Sequence, residues 1–283
     1  GQRRGHAGDF CRVGLGAMFR NQYDTDCTTW SPAGRIHQIE YALEAVKQGS
    51  AAIGLRSNKY AIVATLKRAS SELSSHQKKI FKIDDHVGVA IAGLVADARV
   101  LAKYMRTECI NHRYTYDEPM QVNRLSLKVA DKSQIGTIRA GHRPYGIGLL
   151  IAGADHSGPH LFETQPSGQY FEYKAWAIGA RSQAGRTYLE KHYEEFVDAD
   201  LDQLIVHALT ALRDTLSTGT ELTSANAAVG FVSEDQSFTI LEDDLIKAYV
   251  DGLKKDDAPA PAPAADATGA PAEPAPAAPM DED

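Results

Sequence analysis

The segment at residues 30–47 most strongly constrains the fold, because WSPAGRIHQIEYALEAVK predicts a turn followed by a short amphipathic helix ahead of the first strand. Ser31 can accept hydrogen bonds from free backbone N–H groups, and Pro32 has its φ angle preset for a turn or a first helical turn. Apolar residues then recur at helical spacing at Ile36, Ile39, Leu43 and Val46. Lys47 suits the C-terminal end of a helix, and Gly49 can end it in the left-handed conformation.

The rest of the sequence alternates groups of strands with groups of helices. Strand patterns occupy residues 51–56, 60–66, 80–84, 87–92, 145–154, 159–163, 170–173, 175–178, 225–233 and 237–241. Helical patterns occupy residues 96–111, 181–196, 200–217 and 243–252, and part of 121–138. Because the strands come in hairpin-like couples, they predict antiparallel pairing rather than parallel β-α-β units. Two antiparallel sheets with helices outside them would make a four-layer αββα sandwich in the α/β (α+β) class.

The residues of the first helix carry a specific pattern, Ser-Pro-x-Gly-Arg-x-x-Gln-x-Glu-Tyr-Ala-x-Glu-Ala-Val, over residues 31–46. This pattern resembles the signature of the 20S proteasome alpha subunits. Further matches are GLVADAR at residues 93–99, RPYG at 143–146 and AIGARSQ at 177–183. The resemblance extends from Phe19 to about Leu253, and it implies the N-terminal-nucleophile hydrolase fold with its four layers.

Charge and composition divide the chain of 283 residues into three parts. Residues 256–283 hold seven Asp or Glu and no Lys or Arg, so the rest of the chain carries 30 side chains of each sign. This acidic Ala/Pro-rich stretch predicts a disordered tail. Residues 18–255 are the expected alpha-type domain, with a leader at 18–29 and a helix at 31–47. Residues 1–17 are interpreted as an upstream or expression-derived extension, with a regulatory extension as the alternative.

The cysteines, at Cys11, Cys27 and Cys109, are odd in number and widely spaced, so they predict neither a disulfide framework nor a metal site. Apolar runs such as residues 147–154 are too short and too often broken by glycine to span a bilayer. Residues 1–17 lack the apolar core of a signal peptide. A reducing compartment is therefore expected, and the resemblance implies the cytoplasm and the nucleus.

Catalysis in the implied fold uses an N-terminal Thr whose own α-amino group serves as the base. By resemblance to the catalytic beta subunits, the nucleophile position falls near Ser50, the Asp position is Leu66, and the Lys persists as Lys79. Ser50 follows a helix and has no free amine unless the chain is cleaved at Gly49-Ser50. We therefore expect no catalytic residue. The alternative is an N-terminal-nucleophile peptidase that becomes active after processing at that bond.

Other chemistry has little support in the sequence. No phosphate-binding glycine loop and no cluster of metal ligands is evident, so neither a cofactor nor a metal is predicted. His156 and His160 lie four residues apart, but Gly158-Pro159 would break a helix between them, and turn histidines are the simpler interpretation. The balanced charge of the body and the short run at residues 77–79 give a nucleic-acid role no electrostatic basis.

Gating of a closed chamber is the role that the resemblance implies for the leader, at residues 19–29. In the family, a Tyr-Asp pair, a turn proline and a helix tyrosine form a cluster that stabilises the open gate. These positions are Tyr23, Asp24, Pro32 and Tyr41 here. The Arg that usually follows the pair is Thr25, which removes a guanidinium from any network between leaders.

Docking of activators is the second role that the resemblance implies. Lys79 corresponds to a family lysine that receives the C-terminal carboxylate of activator tails, with Gly93 allowing close backbone approach and Leu94 packing the tail. Glu40 matches a residue that contacts activators. The alternative for Lys79 is a solvated lysine at a strand end.

The expected partners follow from these roles. They are neighbouring alpha subunits in a heptameric ring, beta-ring subunits, and regulatory-particle ATPase tails and other activators, with no nucleic acid and no membrane. The remaining alternative is a regulatory or RNA-associated protein that shares only the fold.

Overall fold

A computed structural model describes residues 23–69, 73–217 and 220–256. The strands are β1 (Ala52–Arg56), β2 (Tyr60–Leu66), β3 (Ile80–Asp84), β4 (Val87–Gly93), β5 (Ile147–Asp155), β6 (Gly158–Thr164), β7 (Tyr170–Glu172), β8 (Ala175–Ile178), β9 (Ala227–Ser233) and β10 (Thr239–Glu242). The helices are α1 (His37–Gln48), α2 (Val95–Tyr116), α3 (Val122–Ile138), α4 (Ser182–His192), α5 (Leu201–Asp214) and α6 (Asp244–Asp256). The predicted extension at 1–17 and nearly all of the predicted tail at 256–283 lie outside the described residues.

The strands form two five-stranded sheets, in the orders β10-β9-β2-β1-β8 and β3-β4-β5-β6-β7. Every pair of neighbours is antiparallel. Because adjacent strands in the sequence are mostly neighbours in a sheet, short hairpin connections suffice for most of the pairing. The prediction of two antiparallel sheets is confirmed.

Four layers result because each sheet has two apolar faces. In β2, Ile62 and Ala64 pack on the side of α4, α5 and α6, whereas Ala61 and Val63 face the other sheet. In β4, alternate residues likewise face either α2 and α3 or the space between the sheets. Side chains of a strand point alternately to opposite faces, so a strand that is apolar throughout must be covered on both sides. The uninterrupted burial of β4 from Val87 through Ala92 agrees with this requirement.

Helix α1 lies at one end of the sandwich, against β4 and β5. Val46 joins the cluster between the two sheets, and Ala42 is also buried. The other members of the predicted stripe, Ile36, Ile39 and Leu43, are only half-buried. The fully buried face of α1 therefore consists of Ala42 and Val46. It is smaller than the predicted apolar stripe and lies nearer to the C-terminal end of the helix.

The start and the end of α1 both differ from the prediction of a helix over residues 31–47. Ser31 closes a turn, because its Oγ accepts from Arg35 N at 3.0 Å and its carbonyl accepts from Gly34 N at 2.9 Å. The helix begins only at His37. Gly49 ends the helix in an extended conformation, with φ −63° and ψ 152°, so the predicted left-handed stop is wrong.

The ends of the other helices also shift. Helix α2 continues to Tyr116, five residues past the predicted end, and Asp117 ends it with φ 57°. Helix α4 stops at His192 rather than at Phe196, and α6 continues to Asp256. Helix ends depend on local hydrogen bonds that residue periodicity does not encode. Among the helices of the described segments, none combines the length and the apolar character that crossing a membrane requires.

Candidate functional site

The leader is tied to α1 by side-chain hydrogen bonds. Tyr41 Oη donates to Asp24 Oδ2 at 3.2 Å, and Gln38 Nε2 donates to the carbonyl oxygen of Asp24. Both donors lie on α1, so they hold one leader residue at two points. Tyr23 is half-buried, and Pro32 is exposed in the turn before α1. The structure thus brings together Asp24 and Tyr41 of the predicted gate cluster. Tyr23 and Pro32 are close to them in sequence, and among the described residues no side-chain hydrogen bond joins either of these two to Asp24.

Charged groups surround the exposed side of α1. Arg35 Nε donates to Glu40 Oε1, and His37 Nδ1 lies 3.4 Å from Glu40 Oε2. The hydrogen bond from Arg35 holds the pKa of the Glu40 carboxyl below its ordinary value. The His37 ring stacks on Tyr41 with centroids 6.3 Å apart. Glu40 is therefore ionised at neutral pH and kept on the face of α1 that also carries Tyr41, whose side chain is 51% exposed.

Lys79 is buried, at 4% exposure, immediately before β3. Its carbonyl accepts from Ile91 N at 3.1 Å, which fixes its backbone against β4. Burial lowers the pKa of Lys79 to about 8, and the positive charge of Arg68 contributes. Within the described part of the chain, no carboxylate pairs with its ammonium group. The interpretation of Lys79 as a solvated strand-end lysine is therefore wrong for this chain on its own.

Gly93 and Leu94 form a bend at the end of β4. Gly93 has φ +116°, and a β-carbon there would fall 2.3 Å from the carbonyl oxygen of Gly146. Leu94 N donates to that same oxygen at 2.9 Å, while the Leu94 side chain stays 49% exposed. At Gly93 the close backbone approach is to Gly146 of the same chain, so approach of an activator tail stays a prediction. Leu94 keeps an apolar surface open to a partner.

The end of α1 meets this bend directly. A β-carbon on Gly49 would lie 2.2 Å from Gly93 N. The backbone that follows α1 and the backbone that follows β4 therefore touch without side chains between them. The end of α1, the helix that holds the leader, is therefore in direct backbone contact with the bend that is predicted to bind an activator tail.

Ser50, at the expected nucleophile position, is used structurally. It is 2% exposed, and its Oγ donates to the carbonyl oxygen of Leu66 at 2.8 Å. The preceding carbonyl, of Gly49, accepts from Ala180 N at 2.7 Å. Leu66 offers no carboxylate to orient an amine. The Gly49-Ser50 bond is thus held inside the fold, and the hydroxyl of Ser50 is already engaged.

One ion pair, between the buried carboxylate of Asp97 and the exposed Arg143, was not predicted from the sequence. Arg143 donates to both carboxylate oxygens of Asp97, at 2.7 and 2.8 Å, and Gly146 N donates to Asp97 Oδ2 at 3.0 Å. The hydrogen bond from Arg143 is the main cause that lowers the pKa of the Asp97 carboxyl. Because Gly146 also contacts Gly93, this pair positions the bend. Asp97 lies in the family-like motif at residues 93–99 and Arg143 in the one at residues 143–146. These motifs are the signal in the sequence that could have identified the two residues.

His160, at the β5–β6 turn, is hydrogen-bonded to neighbouring side chains. His160 contacts Ser157 Oγ at 2.8 Å and Glu172 Oε1 at 2.7 Å. In the segments that the structure describes, no group of three or more His, Cys, Asp or Glu is arranged to hold a metal ion. Cys27 and Cys109 are both free and buried.

Comparison with known proteins gives consistent matches. Residues 46–232 match the proteasome subunit family, and residues 23–45 match the N-terminal signature of its A-type subunits. The alpha type-1 proteasome subunit of Dictyostelium discoideum is 55% identical over 241 residues, covering 85% of this chain and 97% of that protein. A probable alpha type-6 proteasome subunit of Schizosaccharomyces pombe is 52% identical, covering 83% and 87%. The alpha type-1 proteasome subunit of Caenorhabditis elegans is 48% identical, covering 82% and 90%.

Proposed function

Because the chain belongs to the proteasome subunit family and carries its alpha-type N-terminal signature, we propose that it is a non-catalytic gating subunit of the outer ring of the 20S core particle. The particle degrades proteins, both ubiquitin-tagged and untagged. Relatives named type-1, together with the leader MFRNQYD at residues 18–24 and the acidic Ala/Pro-rich tail, favour the type-1 class of eukaryotic alpha subunits.

The observation that carries the gating role is the hydrogen bond from Tyr41 to Asp24. A leader that lies across a pore must be held in one of two positions, open or closed. The bond joins the leader to a helix that is itself packed on the sandwich, so it favours one leader position over others. The exposed faces of Tyr41 and Pro32 leave the cluster open to completion by a neighbouring subunit.

The absence of catalysis rests on the region around Ser50. Hydrolysis by this fold needs a free α-amine on the nucleophile and a carboxylate that orients it. Ser50 has its amine inside a peptide bond, and Leu66 stands at the carboxylate position. The alternative, a peptidase activated by cleavage at Gly49-Ser50, is not favoured, because Ser50 is buried and hydrogen bonds hold the Gly49 carbonyl and the Ser50 hydroxyl in place.

Activator docking is the second part of the proposal. Lys79 supplies a buried ammonium that lacks a carboxylate partner in the described chain. Leu94 supplies an exposed apolar surface three residues after Ile91, whose N donates to the Lys79 carbonyl oxygen. The C-terminal carboxylate and last apolar side chain of an activator tail, such as those of regulatory ATPases, fit this combination. Glu40 offers a contact on the face of α1.

The partners in this proposal are neighbouring alpha subunits in a heptameric ring and beta subunits in the adjacent ring. We place the particle in the cytoplasm and the nucleus. Fractionation of cells followed by detection of the assembled chain in both compartments tests that location. A protein that only shared the fold would instead run as a monomer in native mass spectrometry.

The decisive experiment deletes residues 18–29 in the assembled 20S particle and measures hydrolysis of a small fluorogenic peptide without activator. We expect a several-fold higher basal rate, because the leader no longer obstructs access. A particle that lacks residues 257–283 is the control and should keep the wild-type rate. An unchanged rate after leader deletion would refute the gating role.

A further inference from the structure

A cavity that shares no residue with the leader or with α1 is lined by three cationic residues. It has a volume of about 300 Å³ and lies where the ends of β2 and α5 meet the starts of α4 and β9. Lys67 and Arg68 follow β2 directly, and Arg181 precedes α4. No carboxylate belongs to the lining among the described residues.

The positive charge of this cavity is poorly compensated. The side chain of Lys67 is only 5% exposed, and its one ion-pair partner, Asp243 at 3.4 Å, is 71% exposed and outside the lining. In the described segments neither Arg68 nor Arg181 has an ion pair. The effect of this charge is felt beyond the cavity, because Arg68 helps to lower the pKa of Lys79. Unpaired cations gathered in a concave site raise the local concentration of anions.

The neutral polar groups of the lining are mostly occupied. Thr215 Oγ1 donates to the carbonyl oxygen of Leu212 at 2.7 Å, and Asn226 Nδ2 donates to that of Glu221 at 2.9 Å. Ser217 and Thr220 share one hydrogen bond at 3.0 Å, which leaves one hydroxyl proton available. A ligand would therefore be held chiefly by the three cations.

We propose that this cavity is a binding site for a small phosphate-class oxyanion that carries more than one negative charge. Two guanidinium groups offer paired N–H donors that match the oxygens of a phosphate, and a lysine adds a point charge. A single carboxylate would neutralise only one of the three cations. The volume exceeds that of one phosphate group, so a condensed phosphate or a phosphate ester fits better than inorganic phosphate.

The residues that line this cavity are not those of the proposed gate or activator surface, although the charge of Arg68 acts on Lys79. The lining of the cavity does not include Lys79, Gly93 or Leu94. The inference therefore does not depend on the proposed gating role, and failure of either leaves the other standing.

Isothermal titration of the full chain with sodium tripolyphosphate at low salt tests the proposal. We expect one saturable site that binds inorganic phosphate at least tenfold more weakly than tripolyphosphate. The double variant Arg68→Gln/Arg181→Gln should lose at least tenfold in tripolyphosphate affinity. The variant Arg99→Gln/Arg139→Gln removes the same charge from two exposed arginines elsewhere, and it should keep the wild-type affinity.

Three outcomes would overturn the proposal. They are no saturable binding of tripolyphosphate, an equal loss in the Arg99→Gln/Arg139→Gln control, and citrate binding as tightly as tripolyphosphate. No saturable binding would mean that there is no site. An equal loss in the control would indicate non-specific attraction to positive charge, and equally tight citrate binding would show that the site does not prefer phosphates to carboxylates. Circular dichroism of each variant establishes that it is folded.

A second measurement uses Lys79 as a reporter. Because Arg68 helps to lower the pKa of Lys79, an anion bound at Arg68 should raise that pKa towards the ordinary lysine value. NMR titration of the labelled lysine with and without tripolyphosphate measures the shift. The double variant should show no further change on adding the anion, and a shift of equal size there would contradict binding at Arg68.

Discussion

Gly49, after α1, and Gly93, at the end of β4, lie in backbone contact, so that a β-carbon on Gly49 would fall 2.2 Å from Gly93 N. This contact joins the helix that holds the leader to the bend that carries Leu94. Since neither residue has a side chain to absorb displacement, movement of the bend must move the end of α1 as well. We therefore expect the proposed activator tail at the bend and the proposed gate leader to influence one another.

Gly93→Ala should destabilise the chain by more than about 2 kcal/mol, because the new methyl group meets the Gly146 carbonyl oxygen at 2.3 Å. Chemical denaturation of the full chain measures this change. Gly158→Ala is a matched control, since Gly158 has nearly the same φ, +113°, but open space around its β-carbon position. If both variants lost the same stability, the cause would be the backbone conformation alone and not the contact of the new methyl group with the Gly146 carbonyl oxygen.

Tyr41→Phe should reduce activator-stimulated peptide hydrolysis by the assembled particle. The variant removes the hydrogen bond to Asp24, which we propose favours the open leader. A bond of this kind contributes about 0.5–1.5 kcal/mol, which corresponds to roughly a twofold to tenfold change in the open population. Tyr114→Phe, at a tyrosine that is 92% exposed on α2, should behave like the wild type. Wild-type stimulation in Tyr41→Phe would show that the bond does not act in gating.

Lys79 should make activator docking depend on pH. Its pKa is lowered to about 8, so its ammonium is charged near pH 7 and largely neutral near pH 9. A peptide with an activator-type C-terminal carboxylate should bind the particle more weakly as pH rises through this range. The same peptide with a C-terminal amide, and the variant Lys79→Met, should show weak binding without this pH dependence. Fluorescence anisotropy measures all four combinations.

The lowered pKa of Lys79 should make the folded chain more stable as pH rises, whereas it should make activator docking weaker. The unfolded chain holds the Lys79 proton up to the ordinary value of 10.5, whereas the folded chain releases it near 8. The unfolded state therefore binds more protons between these values, and the free energy of unfolding should rise with pH across that interval. Lys79→Met should remove this contribution. Denaturant titrations near pH 8 and pH 10 test it, and an identical pH slope in the variant would contradict the assignment.

Asp97→Asn should cost about 1–3 kcal/mol of stability at neutral pH, because it weakens the bonds from Arg143 and Gly146. The carboxyl pKa is lower in the folded chain, so its contribution is complete above the ordinary value of 3.8 and is lost as pH falls through the lowered value. The variant should therefore lose part of its acid sensitivity. Asp85→Asn, at an exposed carboxylate paired with Lys82, should have a much smaller effect.

Ser50→Ala should leave peptide hydrolysis by the full chain at background. The change removes the hydrogen bond to Leu66, so a loss of about 1 kcal/mol in stability is expected without any catalytic effect. N-terminal sequencing of the chain from assembled particles should find no new terminus at Ser50. Hydrolysis by the wild-type chain that disappears in this variant would restore the peptidase alternative.

Several features of this protein were readable from the sequence. The order and type of the elements followed from local periodicity, and Tyr60–Leu66, Ile80–Asp84 and Ala175–Ile178 were predicted to the residue. Such features depend on neighbours within one segment, so a single sequence contains them. The absence of a carboxylate at Leu66 was likewise visible as a residue identity.

The tertiary structure decided what joins distant segments. Asp97 and Arg143 are 46 residues apart, and no pattern in either segment specifies their pairing. Gly49 was expected to end a helix by its left-handed conformation, yet it is extended and serves close packing on Gly93. The cavity lined by Lys67, Arg68 and Arg181 exists only because the ends of β2 and α5 and the starts of α4 and β9 meet at one place. Burial, which sets the pKa of Lys79, is a property of that assembled fold and not of the lysine's neighbours in sequence.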